Sequence, residues 1–221
     1  MPLPAQKITG LFGDFAWSDH SSLEGRVVIG GNWVAENIAL VDPPFPLRTG
    51  GGLAVRKIRC HYAIADQLLG VLVGLRDDGL SHLVNTFDGC FVPRHMSWNP
   101  QRALSRHSWG IAVDVNARTF GYGSPKKQDA RLVEAFRRFG FEAGQDWGAP
   151  DPMHFEAVQS MSLGTLTYKV VVDDVVLSDA ARVVRGEVVA PVGMLARALG
   201  AQTVRFHPSH RKLYVYREAR P

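Results

Sequence analysis

The residues with the chemistry of a reactive centre lie in two short stretches. Ser105 to Asn116 reads S-R-H-S-W-G-I-A-V-D-V-N and sets His107 and Asp114 seven positions apart. Asp151 to Glu156 reads D-P-M-H-F-E and adds His154 with two more carboxylates. Two imidazoles and a carboxylate suit one Zn2+ ion: His107, Asp114 and His154 as ligands, and a fourth position left open for water or substrate. A hydrolase built on such a centre also needs a base beside the metal that does not itself bind it. Asp151 and Glu156 are the candidates, and Asp151 is preferred. It precedes Pro152, which pushes its backbone out of helix and places it at the start of a strand, where it can curl over the metal. Glu156 shares a strand face with His154 and suits a partner that orients the imidazole. Ser105 would share the face of His107 if that strand extends back, with its hydroxyl towards substrate. Arg94 lies about a dozen residues before the metal strand. It reads equally as a cation of the same cleft or as a surface residue. Trp109 reads as core packing ahead of a pocket floor.

These residues need elements to position them. After Gly110, the apolar Ile111, Val113 and Val115 alternate with Ala112, Asp114 and Asn116, the period of a β-strand. Gly110 and Ala112 leave room beside Asp114. His154 and Glu156 fall on one face of a second strand, Met153 and Phe155 on the other. Residues 61–78 carry Ala63, Ile64, Leu68, Leu69, Leu72 and Leu75 at helical spacing, ended by Asp78-Gly79. His61 and His82 at the ends of that helix read as surface or capping groups. Gly89 to His95 reads as a strand, 98–104 as a loop or turn, and 116–127 as a loop bordering the cleft. Gln128 to Phe139 is a second amphipathic helix, capped by Gly140.

The first 55 or so residues are rich in Gly and Pro and predict an irregular segment with short strands, wrapped on the main domain. The fold class is therefore α+β: a small antiparallel sheet with flanking helices holds the zinc site within residues 1–158. A linker at 159–166 leads to a small C-terminal α+β domain at 167–221. There, strands are expected in Tyr168–Leu177 and Glu187–Ala190. A helix follows through Met194 to Leu199, then a hairpin of Val204–Phe206 with Lys212–Tyr216. His207 and His210, in the hairpin loop, have no Cys or carboxylate beside them and form no ligand set.

Composition narrows the rest. The 221 residues are 46% hydrophobic and 21% charged with a net charge of +4, an ordinary globular balance. Basic residues do not cluster with aromatics, so nucleic acid is not an expected partner. The longest apolar run, Leu68 to Leu75, is too short to span a membrane. Cys60 and Cys90 are too few for a disulfide scaffold; they pair outside a cell or pack as free thiols. The first ten residues do not read as a secretory signal.

The two reactive stretches resemble the VanY-type D-alanyl-D-alanine carboxypeptidases and the L-alanyl-D-glutamate endopeptidases of phage lysins. Both lie within the zinc peptidase group that includes lysostaphin and the hedgehog signalling domain. The pattern S-x-H-x-x-G-x-A-x-D is met by Ser105, His107, Gly110, Ala112 and Asp114, and the later carboxylate-x-x-His by Asp151 and His154. The resemblance implies that His107, Asp114 and His154 bind zinc, that Asp151 is the base, and that Arg94 stabilises the scissile carbonyl. It also implies a peptidoglycan stem peptide as substrate and action at the bacterial cell wall. The protein would then be a lysin released at lysis or a secreted protein shorn of its leader. A zinc-containing binding module without activity is the alternative. The tail resembles the copper amine oxidase N-terminal-like domain, which implies a targeting or interaction module and no copper.

Overall fold

The computed structural model describes residues 4–159 and, beyond them, the backbone of five strands. The chain begins with helix α1 (Ala5–Phe12), which buries Ile8 and Phe12. A hairpin of β1 (Trp17–Asp19) and β2 (Val27–Ile29) follows. Helix α2 (Trp33–Asn37) then runs into β3 (Ile38–Val41), and β4 (Leu47–Arg48) pairs with β5 (Ala54–Val55). Strand β6 (Ile58–His61) pairs antiparallel with β3 and feeds α3 (Tyr62–Asp77).

Helix α3 forms where the apolar spacing placed it. Ile64, Leu68, Val71, Leu72 and Leu75 are each no more than 1% exposed. The Nδ1 atom of His61 caps its start by accepting from the Ala63 N–H, while Nε2 hydrogen-bonds the Phe12 carbonyl at 3.0 Å. His61 is thus a cap, as the sequence suggests, but a buried one and not a surface group. His82 is exposed and hydrogen-bonds the Gly79 carbonyl.

The sheet that carries the site is built from β7 (Phe87–Gly89), β8 (Ala112–Val115), β9 (Phe141–Ala143) and β10 (His154–Ala157). Its spatial order is β7-β8-β10-β9, antiparallel throughout. Helices α4 (Ala117–Phe120) and α5 (Ala130–Arg138) connect β8 to β9. Asp129 caps α5 through the Arg131 N–H, and Gly140 follows it at φ +77°. Phe136 of α5 stacks on Phe155 of β10 with ring centroids 4.0 Å apart, and meets Phe141 of β9 edge-on. That contact, with Val113, Val115 and Ala157, gives one face of the sheet to the core. Asp114, His154 and Glu156 belong to the other face.

The remaining strands are β11 (Tyr168–Val172), β12 (Val175–Val184), β13 (Glu187–Val189), β14 (Thr203–His207) and β15 (Lys212–Tyr216). They form a sheet of order β13-β12-β11-β15-β14, with the expected hairpin of β14 and β15. The helix expected through Met194 to Leu199, residues 160–167 of the linker region and His210 lie outside the described residues. Among the described residues no helix is long and apolar enough to cross a membrane. Cys60 and Cys90 are free, buried thiols.

Two expectations are corrected. The strand expected at 89–95 ends at Gly89; beyond it, Arg94 and His95 make only isolated bridges, to Arg26 and Leu104. Pro93 cannot donate to a ladder, which is why pairing does not run through it. The N-terminal segment is more ordered than its Gly and Pro suggested. Helix α1 escaped notice because eight residues are too few to show a period.

Candidate metal centre

Antiparallel pairing builds most of the site. His154 lies directly opposite Asp114, and Glu156 opposite Ala112, across β10 and β8. Opposed residues on one face bring their Cβ atoms to about 5 Å, within reach of a shared ligand. The small Ala112 leaves room for the Glu156 carboxylate across from it. Gly110 serves another purpose than the one expected of it. It turns the chain at φ +68°, where a Cβ would press on the backbone of His61.

His107 does not come from a strand. Ser105 to Ser108 is a single 3-10 turn, and the Ser105 hydroxyl accepts from the His107 N–H at 3.4 Å. The condition on which Ser105 would share a strand face with His107 is not met, because the cap closes a turn there. Ser105 still lines the cleft. The His107 Nδ1–H donates to the Cys90 carbonyl at 2.8 Å, which turns Nε2 to the cluster.

Three ligand atoms converge. His107 Nε2 is 3.1 Å from Asp114 Oδ2 and 3.3 Å from His154 Nδ1, and His154 Nδ1 is 3.0 Å from Asp114 Oδ1. Ligands about 2.0–2.2 Å from a tetrahedral zinc stand roughly 3.3 Å apart, so this donor set fits such an ion. All three residues are buried. The other ring nitrogen of His154 lies 3.6 Å from Glu156 Oε2, and Arg106 Nε reaches Glu156 Oε1 at 3.3 Å. The carboxylate–imidazole arrangement expected of Glu156 is in place.

Electrostatics follow from this crowding. Burial alone would raise Asp114, but the rings of His107 and His154 hold its carboxyl well below the usual carboxylate range. Burial disfavours a charged His154 ring, yet its bonds to Asp114 and Glu156 lift it to about 10. A bound cation would compete with a proton for the His154 ring, since metal ligands must be deprotonated.

Asp151 and Arg94 line the same cleft, of about 210 Å3, with His154 and Glu156. Asp151 sits in the turn before β10, its amide on the Gly144 carbonyl at 3.0 Å and its carbonyl accepting from the His154 amide. Its Oδ1 atom is buried without a hydrogen-bond partner. Burial pushes its carboxyl pKa up, with His154 opposing and Asp114 reinforcing the shift. The Arg94 guanidinium is half-buried, lowered by burial and favoured by Asp114 and Asp151. It lies over the Trp98 ring at 5.3 Å. Trp109 packs into the core and donates to the Gly13 carbonyl.

Residues 98–157 match the family model described as D-alanyl-D-alanine carboxypeptidase. The match spans His107, Asp114, Asp151 and His154, begins after Arg94, and supports a peptidase of this kind. No curated protein and no solved structure matches the chain. Arg102, Tyr122 and Trp147 are among the cleft residues that had escaped the sequence reading. The Trp147 ring stands 5.3 Å from that of His154, and its Nε1–H has no partner. Nothing in their spacing ties these loop residues to the carboxypeptidase motif.

Proposed function

We propose that this chain is a zinc-dependent peptidase that hydrolyses peptide bonds in peptidoglycan stem peptides at the bacterial cell wall. The observation that carries this reading is the convergence of His107, Asp114 and His154 at a cleft that His154 lines together with Asp151, one of whose oxygens is buried and unpartnered. A zinc ion held by the three ligands supplies Lewis acidity towards water and the scissile carbonyl. Asp151 takes the proton from the attacking water and returns it to the leaving amine, a role that an upward-shifted carboxyl suits. Arg94 offers its guanidinium to the oxyanion that develops on the carbonyl. Glu156 holds the His154 ring in place, and Ser105 holds the turn that presents His107. No covalent intermediate is required.

A zinc-containing cell-wall-binding module without activity is the rival. The unpartnered Asp151 oxygen speaks against it, because a purely structural centre has no use for an unsatisfied buried carboxylate. Digestion of purified peptidoglycan by the zinc-loaded protein, with products read by mass spectrometry, tests the choice. Loss of a terminal D-Ala or release of stem peptides is expected. Stoichiometric zinc with neither product defeats the peptidase reading.

A further inference from the structure

The metal-centre cleft has an aromatic rim that the chemistry of the centre does not use. Met96 and Tyr122 line the cleft and are exposed. Trp98 is 47% exposed and follows Ser97, which also lines the cleft; the Arg94 guanidinium lies over its ring. Trp17 is 45% exposed and meets the His95 ring edge-on at 5.2 Å. His95 in turn stands between two lining residues, Arg94 and Met96.

These rings are held in place from behind. Ser97 and Trp98 have left-handed backbones, at φ 55° and 56°. A bulky residue adopts that conformation only where its surroundings impose it, and such strain collects at ligand sites. The Trp98 amide donates to the His95 carbonyl, the Met96 amide to Ala103 and the His95 amide to Gly25. A Cβ at Gly25 would collide with the Trp98 backbone. The His95 ring is buried, with Nδ1 on the Arg102 carbonyl at 2.6 Å and Nε2 on Asp19 Oδ1 at 2.8 Å. Trp17 and Asp19 are two apart on β1 and share a face, so the histidine that anchors the loop also seats Trp17. Strained backbone and a buried histidine thus keep two indoles half in water, although burial would stabilise them more.

We infer that this rim is a platform for a glycan strand, whose pyranose rings stack on Trp17, Trp98 and Tyr122 while the attached stem peptide lies in the cleft. This rests on the peptidase reading and extends it to the polymer that carries the stem. A pyranose offers apolar C–H faces edged by hydroxyl and acylamino groups. It suits aromatic faces set among hydrogen-bonding side chains, and Ser18, Ser97, Asn99 and Gln101 are exposed beside these rings in the chain. A lipid surface takes a continuous apolar face instead. The platform is continuous with the cleft, as the substrate demands. Four residues of extended peptide reach at most about 14 Å, so a stem peptide at the metal brings its sugar to the cleft mouth.

The probe is stem-free glycan strand, prepared by removing the peptides from purified peptidoglycan. Isothermal titration into the full chain should give the same saturable binding with and without zinc, since no ligand of the ion takes part. Trp17→Ala and Trp98→Ala should each weaken it about ten-fold, the loss of one anchoring aromatic. Trp17→Phe and Trp98→Phe keep a ring in place and should retain most of it. No binding, binding that both alanine variants leave unchanged, or phenylalanine variants as weak as the alanine ones overturns the inference. So does binding of anionic phospholipid vesicles, but not of glycan, through these residues. Kinetics provide a second reading. Trp17→Ala should raise KM for intact peptidoglycan about ten-fold and leave kcat/KM for a sugar-free stem peptide unchanged. An equal loss on both substrates also overturns the inference. Trp-dependent glycan binding by a protein that cuts no peptide leaves the platform standing and removes the peptidase reading instead.

Discussion

Asp151 keeps a buried oxygen without a hydrogen-bond partner in the cleft lined by His154, one of three converging ligands. Asp151→Asn preserves its size and removes its basicity. It is expected to lower kcat by about a thousand-fold, within the range for loss of a general base, while zinc stoichiometry stays at one. Normal turnover of that variant on muropeptides would reject the assignment. Glu156→Gln keeps the contact to His154 but removes the charge behind it. A drop in zinc affinity of about ten- to a hundred-fold, measured by competition with a chelator, is the expected cost. Unchanged affinity would show that Glu156 does not tune the ligand. At this scale the sequence was legible where chemistry restricts residue type. His107, Asp114, Asp151 and His154 sit in a compact pattern, and the structure gathers them. Arg102, Tyr122 and Trp147 were not legible, because loop paths set their positions and those paths are closed by distant contacts such as His95 with Asp19.

Among the elements, α3 depends on an unusual cap. The His61 ring must be neutral to accept from Ala63 on Nδ1 while donating to Phe12 from Nε2. Burial lowers it from 6.5 to about 4, with the Phe12 carbonyl opposing. A lowered histidine lets the unfolded chain take up a proton that the folded one refuses. The contribution is therefore complete above about pH 6.5 and is lost as pH falls towards about 4, amounting to about 3 kcal/mol. Urea titrations across that window should show the slope, and His61→Asn should flatten it; an identical slope in that variant would place its origin elsewhere. Phe155→Ala, which empties the stack with Phe136 behind the site, should cost about 3–5 kcal/mol by chemical denaturation. A loss under 1 kcal/mol would mean that the sheet does not depend on that contact. Helices α3 and α5 were readable from their period and caps. The strand expected at 89–95 was not, since Pro93 cuts the ladder without changing the apolar pattern. The turn at Ser105 was hidden because a capping serine and a strand serine look alike in sequence.

Across the whole molecule, the centre gathers parts distant in the chain. The amide of Val27 donates to the Pro93 carbonyl, the His95 amide to Gly25, and Asp19 meets His95, so the N-terminal segment fixes the loop that bears Arg94. The ligands themselves lie on the 3-10 turn after Ser105, on β8 and on β10, which only the folded chain brings together. Zinc should therefore bind the folded state preferentially and raise its stability by about 2.7 kcal/mol at a free concentration one hundred times Kd. Thermal unfolding with and without the ion measures this, and an unmoved transition would dismiss a metal centre at these residues.

The direct opposition of His154 and Asp114 has one more consequence. Side chains alternate along a strand, so a slip of one residue between β8 and β10 would send the two groups to opposite faces. A chain paired out of step cannot close the cluster around an ion. The metal would act as a proofreader of strand alignment, rewarding the correct pairing before any substrate arrives.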